Sequence, residues 1–386
     1  MSNFRSFFTY IFEKQVMITH KFRLKVNKMS GLKKLPPNIE LETKKVLKQL
    51  ASSHRFLAEL KGYADLLPNK NILVNAVTIN EAKDSSEIEN IITTHDELYK
   101  TLACSNQGGS AAKEVANYRK ALWYGYELLN KKGFLSTNIF IEIHKNIEKN
   151  NSGLRKVPGT KIINQATDEI VHEPPETYQE IIDLLSNLEN YINTESDKVD
   201  NLIKLAVIHY QFEAIHPFYD GNGRTGRIIN LLYLILKDLL DSPILYLSRY
   251  IIANKQQYYN LLRQVTDDNS WEDWVLYILK AIEETSKSTL KLAQDINELV
   301  DTSANVFQER NSSIYSQELI EIIFNEPYTK IEDVQNGLDV TRKTASNYLS
   351  SLEKINLMRS EKIGRQKLYI NKPLMNLLKK AGDIKY

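Results

Sequence analysis

The sequence predicts a mainly α protein with one small β-hairpin and, at its C-terminal end, a winged helix-turn-helix. Three observations carry that expectation. Through most of residues 36–300, apolar side chains recur every three to four positions, as one buried helical face requires. A single stretch, Arg155 to Pro175, breaks that rhythm with short β-prone runs. After a polar interval at Thr302 to Ser313 the helical pattern restarts, then ends in two short strand-like runs.

A chain of 386 residues is long enough for two or three domains. Its 42% apolar and 25% charged residues are the balance of a soluble globular protein. With 50 basic against 48 acidic side chains, a nucleic-acid or membrane footprint spread over the whole molecule is not expected. The single cysteine, Cys104, has no internal partner and fits a reducing compartment. The apolar run Phe7 to Phe12 is interrupted by Glu13 and Lys14 before a signal-peptide core forms, so a cytoplasmic protein without membrane contact is expected. The expected division is an N-terminal extension (1–31), a helical region (32–110), a central domain (111–300), a linker (301–313) and the C-terminal domain (314–386).

Leu47, Leu50, Phe56, Leu57 and Leu60 mark the first helix, which Pro68-Asn69 ends. A second helical stretch passes through Leu73, Val77 and Ala82, and the loop signal at 107–110 separates it from helices at Val115 to Leu129 and Ser136 to Lys149. Lys161 to Ile163 and Glu169 to His172 flank a polar turn and read as a hairpin, closed by Pro174-Pro175. Helices follow at Tyr178 to Ile192, Asp200 to Ala214, Ile228 to Leu240 and Trp271 to Leu299. Beyond the polar interval come helices at Gln317 to Phe324, Ile331 to Leu338 and Arg342 to Ile355, then strands around Lys362 to Arg365.

The chemistry concentrates in His216-Pro-Phe-Tyr-Asp-Gly-Asn-Gly-Arg-Thr-Gly-Arg227, between two helical segments. Gly221 and Gly223 permit positive φ or close backbone approach, so successive amide N–H groups can line an anion site. The helix that begins near Arg224 adds partial positive charge from its N-terminus. Arg224 and Arg227 lie three apart on one helical face, within reach of phosphate oxygens. Asp220 offers a hard oxygen for Mg²⁺, which usually takes one or two carboxylates plus phosphates. His216 is the side chain there able to accept a proton near neutral pH. A lone histidine beside an apolar stretch is more often structural; its neighbours point to attack on a nucleotide phosphate. Gly221, Gly223 and Gly226 also fit G-x-G-x-x-G, but helix rather than strand precedes them, which argues against a dinucleotide fold. No P-loop or H-E-x-x-H pattern occurs, and one cysteine builds no zinc site.

This run resembles the Fic family signature H-x-F-x-[DE]-G-N-G-R-x-x-R, with every specified position filled. The resemblance covers about residues 36–300. It implies a Fic-type helical bundle and protein adenylylation: AMP passes from ATP to a Ser, Thr or Tyr hydroxyl of a protein, the enzyme itself included. Carried onto this chain, His216 is the base and Asp220 the metal carboxylate. Gly221, Asn222, Gly223, Arg224, Thr225, Gly226 and Arg227 form the ATP site, while Ile170, Val171 and His172 belong to the flap that docks the target backbone. Tyr258 and Tyr259 resemble residues lining the adenine side, although paired tyrosines on a helix more often pack a core. Ser85, Glu89 and Asn90 resemble the family's inhibitory helix, [ST]-x-x-x-E-[GN], lying N-terminal to the signature. Glu89 would pair with Arg227 where the γ-phosphate belongs. Like charges ~4 Å apart at an effective dielectric near 20 cost about 4 kcal/mol, roughly a thousandfold.

Residues 341–367 carry seven basic against two acidic side chains, which leaves DNA contact and protein contact as open alternatives for the C-terminal domain. Rival functions are Glu89-dependent removal of AMP, and a DNA-binding regulator whose Fic portion is a sensor. A homodimer is a further partner expectation, without a residue to carry it.

Overall fold

The computed structural model describes residues 31–104, 109–163, 170–195, 197–363 and 366–382. The extension expected at 1–31 lies, except for Gly31, outside them. So do the hairpin turn 164–169 and Gly364-Arg365 of the expected wing.

Thr43 caps the first helix, α1 (Lys44–Leu66), by accepting from the Val46 N–H. Its buried face is Val46, Leu50, Ser53, Leu57, Leu60 and Ala64. The expected face is corrected by one position at its start: Leu47 is 46% exposed and Val46 takes its place. Phe56 is roofed by cations, with Arg55 and Lys287 each over its ring. α2 (Lys70–Ile88) is buried nearly all round, and Glu89 closes it. α3 (His95–Ala103) opens with a capping box between Thr94 and Glu97, an element not expected from the sequence. α4 (Ser110–Lys132) ends at Gly133 in the left-handed region, and Ser136 caps α5 (Thr137–Glu148).

The expected hairpin is present as β1 (Ile162–Ile163) antiparallel to β2 (Ile170–His172), with Ile162 opposite His172. α6 (Tyr178–Asn193), α7 (Asn201–Ile215) and α8 (Asn222–Leu236) follow. α7 and α8 carry apolar residues on all sides and form the centre of the bundle. α9 (Leu247–Ala253) and α10 (Lys255–Asp268) were not expected; α11 (Trp271–Arg310) then runs 40 residues and packs along α1.

That last helix overturns the expected linker. Residues 301–310 are helical, because Ser303 and Phe307 bury on the inner face and Phe307 meets the Tyr315 ring edge-on at 5.8 Å. Polarity at the remaining positions marks a solvated helix face, not a loop.

α12 (Gln317–Asn325), α13 (Ile331–Gly337) and α14 (Arg342–Lys354) supply the three expected helices. β4 (Met358–Ile363) and β5 (Gln366–Asn371) supply the hairpin. A third strand, β3 (Tyr328–Lys330), joins them in the order β3-β5-β4, and α15 (Lys372–Gly382) ends the described chain. This unit sits directly on α2 and α4. Asn75 donates to Asn325, Arg119 pairs with Glu326 at 2.9 Å, and Tyr99 stacks on Tyr328. One cluster of buried apolar side chains therefore extends from Leu35 to Leu378. Among the described residues no helix is long and apolar enough to cross a membrane.

Candidate active site at the N-terminus of α8

α7 ends at Ile215, and His216 caps it in the left-handed region with φ 47. A histidine there is strained, and persists only where surroundings over-determine it. Arg155 does so. Its buried guanidinium donates to His216 O at 2.7 Å, Ile215 O at 3.2 Å and Pro175 O at 2.5 Å, and its own N–H reaches Pro217 O at 2.9 Å. Burial pushes the His216 imidazole down to about 4, with Glu89 pulling the other way and Arg155 and His172 adding to the depression. The ring is thus neutral at pH 7 and free to take a proton.

The next residues shape the turn. Phe218 is buried and stacks on His144 at 3.9 Å, whose Nε2 donates to Asp220 O. The Asn222 side chain accepts from Phe218 N and donates to Phe218 O, satisfying both backbone groups of one residue. Gly221 takes φ 70 as the N-cap, and α8 starts at Asn222, two residues earlier than expected. The N–H groups of Asn222, Gly223 and Arg224 have no acceptor within their own helix and face the loop as an anion site.

A carboxylate already lies there. Glu89 Oε1 accepts from Arg227 at 2.9 Å, and a Cβ at Gly223 would collide with that same oxygen. Gly223 therefore serves close approach, while positive φ is needed at Gly221. Arg227, 2% exposed, also donates to Ser85 Oγ at 2.7 Å and to Ser85 O at 2.8 Å. Ser85 is interior to α2 and does not cap a helix; Asn90, with φ 64, makes the left-handed turn behind Glu89.

Arg224 has a different partner. Its guanidinium, 3% exposed, donates to Glu148 Oε1 at 2.7 Å, with Asp220 and Glu114 each at 3.8 Å. The Asp220 side chain is 77% exposed, and its Oδ1 accepts from Gly221 N–H at 2.6 Å. Among the described residues no cluster of three His, Cys, Asp or Glu is arranged to hold a metal. A single exposed carboxylate at the loop fits a Mg²⁺ that takes its other ligands from phosphates and water.

His216, Asp220, Gly221, Gly223, Arg224, Arg227, Ser85 and Glu89 converge on this one spot. Other expected residues play different parts. The Asn222 amide is committed to Phe218; the Thr225 hydroxyl donates to Gly221 O at 2.8 Å and is fully buried. At Gly226 a Cβ would lie 2.5 Å from Glu213 Oε1 and 3.0 Å from Phe212, so this glycine serves helix packing. Tyr258, expected on the adenine side, packs in the core. It is 1% exposed, shares a 2.8 Å bond with His209 Nε2, and packs against Trp274 and Tyr277. Its neighbour Tyr259 is 40% exposed and lies within electrostatic reach of Glu89 and Arg227. In the hairpin, His172 donates to Ala214 O at 2.8 Å, tying β2 beside His216, and Ile170 is exposed.

Sequence reasoning missed Arg155, Glu148 and Glu213. Glu213 precedes His216 by three residues on α7, and burial pushes its carboxyl up to about 7 despite Arg227. That spacing was a readable signal. Arg155 and Glu148 left none, since only the tertiary fold brings them to the loop.

Fold and site together define a mainly helical protein built around a helix N-terminus with two buried arginines, a neutral histidine and an internal carboxylate. Residues 134–234 match the Fic/DOC family, residues 47–127 the Fic/DOC family N-terminal region, and residues 299–374 the C-terminal domain of SoFic-like protein adenylyltransferases. The chain thus carries a Fic/DOC family domain together with that family's N-terminal region. It is 29% identical over 186 residues to a probable protein adenylyltransferase of Aquifex aeolicus, covering 47% of this chain and 55% of that protein. It is 30% identical over 145 residues to the protein adenylyltransferase Fic of Drosophila mojavensis, covering 36% of this chain and 28% of that one. The chain thus spans about half or less of the length of these curated relatives. The crystal structure of a Fic family protein from Desulfovibrio desulfuricans superposes with a TM-score of 0.55 at 19% identity, covering 87% of this chain and 98% of that one, a likeness of fold.

Proposed function

We propose that this chain is a protein adenylyltransferase restrained by Glu89. A Ser, Thr or Tyr hydroxyl of a target protein, or of the chain itself, attacks the α-phosphorus of ATP. His216 takes the hydroxyl proton, the new O–P bond forms, the bond between the α-phosphorus and its bridging oxygen breaks, and pyrophosphate leaves. The N–H groups at the start of α8, with Arg224 and Arg227, neutralise the outer phosphates. Mg²⁺ held by Asp220 would add positive charge at the same place. The β1–β2 hairpin, including Ile170 to His172, offers the edge against which a target backbone adds as a strand.

The observation that carries the reading is the position of the Glu89 carboxylate. An internal anion lies against Gly223 and on Arg227, where a polyphosphate would have to sit. The experiment is incubation of Glu89→Gly with Mg²⁺ and ATP labelled at the α-phosphate. Label enters protein strongly in the variant, weakly in the wild type, and not at all once His216→Ala is added. Equal labelling with and without His216 contradicts the reading.

One observation favours a second activity, removal of AMP. Glu89 is the charge that acts most strongly on His216, so a carboxylate and an imidazole stand near enough to position and deprotonate one water. Release of AMP from a pre-modified target that persists in Glu89→Gly excludes it.

A further inference from the structure

The two arginines of the α8 loop are each neutralised by a glutamate, and the two glutamates are placed alike. Glu89 is the C-cap of α2, and Glu148 is the last residue of α5. A carboxylate at a helix C-terminus faces the negative end of that helix dipole, an unfavourable position. Both acids instead meet the positive end of α8. Glu89 lies against Gly223 and holds Arg227; Glu148 holds Arg224 at 2.7 Å, and a Cβ at Gly221 would come within 2.6 Å of its Oε1.

The Glu148 environment makes the pairing unusual. Burial raises its carboxyl pKa; Arg224 opposes that, and Asp220, Glu114 and Glu89 add to it. Three further carboxylates thus bear on Glu148 beside Arg224. Arg224 is 3% exposed and Glu148 holds its Nη2, so a phosphate that approaches this nitrogen from the loop takes the place of Glu148.

From this symmetry we infer that Glu148 is a second internal anion, which the outer phosphates of the nucleotide displace from Arg224 as they displace Glu89 from Arg227. The inference rests on the nucleotide reading above and adds to it a second positioning residue that limits donor affinity. Glu89 and Glu148 come from different helices, so their effects on binding are separable.

The test is calorimetric titration of ATP with Mg²⁺, and separately of pyrophosphate with Mg²⁺, into Glu89→Gly and Glu89→Gly/Glu148→Gln. Removing one like charge near the phosphates is expected to tighten both ligands roughly tenfold, with melting temperature recording that the variants fold. Adenosine, which lacks phosphate, gains nothing. Glu148→Asp, which withdraws the carboxylate by one methylene, tightens binding in the same direction and stands in if the glutamine variant unfolds. Unchanged or weaker binding in the folded double variant, while Glu89→Gly itself binds ATP, overturns the role of Glu148 alone. Failure of every variant to bind either phosphate ligand overturns the nucleotide reading and this inference with it.

Discussion

Glu89 and Arg227 stand 138 positions apart in sequence and meet at 2.9 Å, with the guanidinium almost wholly out of water. Ser85 accepts from the same guanidinium twice, through its hydroxyl at Nε and through its carbonyl at Nη2. The end of α2 is itself anchored: Asp84 accepts from Tyr246 at 2.5 Å, and Glu81 accepts from Ser248 and Tyr118. The carboxylate in the anion site is therefore held by a buried network, and a helix so fixed releases Arg227 most cheaply by turning the Glu89 side chain.

Arg155 is the residue that fixes His216. Truncation in Arg155→Ala leaves three buried carbonyls without donors, at about 1–3 kcal/mol each before relaxation. We expect a loss of about 3 kcal/mol in unfolding free energy, and in Glu89→Gly/Arg155→Ala a fall in AMP transfer of about tenfold or more. Chemical denaturation and labelled-ATP assays check both.

Tyr258 and Tyr259 separate stability from binding. Tyr258→Phe removes a buried bond to His209 and should cost about 1 kcal/mol, leaving the KM for ATP unchanged. Tyr259→Ala, at a 40% exposed position beside Glu89 and Arg227, should raise that KM with little change in melting temperature. The reverse pattern would return Tyr258 to the nucleotide.

The rate should report a base of low pKa. Burial holds His216 at about 4, and Glu89 is the largest opposing influence, so removing Glu89 lowers it further. In Glu89→Gly, kcat/KM is expected to be insensitive to imidazole protonation between about pH 6 and 8 and to fall only as pH drops below about 5. An inflection near the ordinary histidine value, about 6.5, speaks against this.

Stability carries its own pH signature at Glu81. Burial pushes this carboxyl up to about 7, against the bonds from Ser248 and Tyr118, from an ordinary value of 4.5. The folded state then binds more protons than the unfolded chain between those values. Its contribution is fully present below pH 4.5 and is lost as pH rises through 7, at up to about 1.4 kcal/mol per unit. The melting temperature of Glu81→Gln should gain on the wild type from pH 5 to pH 8. A constant gap means that Glu81 does not titrate.

Local pattern revealed what depends on local pattern. The periodicity of α1, α4 to α8 and α12 to α14, the β1–β2 hairpin and the run from His216 to Arg227 were legible because apolar spacing and glycines act within a few residues. The helices α9 and α10 escaped because each buries only three residues, Leu247, Ser248 and Ile251 in one and Tyr258, Leu261 and Val265 in the other, too few to show a period. The polar end of α11 looked like a linker, since only Ser303 and Phe307 of that stretch bury. At the site, Ser85 and Glu89 were readable through resemblance. Arg155 and Glu148 were not, because a lone charged residue carries no sign of which distant carbonyl or guanidinium it will meet. Tyr258 and Tyr259 were noticed as a pair, but neighbours on a helix point about 100° apart, and sequence did not say which of them the core takes.

The central claim is that the N-terminus of α8, guarded by Glu89, is a nucleotide phosphate site with His216 above it. A crystal of Glu89→Gly grown with Mg²⁺ and a non-hydrolysable ATP analogue tests it directly. The account predicts the triphosphate over the N–H groups of Asn222 to Arg224, an outer phosphate on Arg227, and the α-phosphorus facing the His216 ring. A loop empty of nucleotide at saturating ligand, or an analogue bound elsewhere with Arg227 still tied only to Ser85, would contradict it.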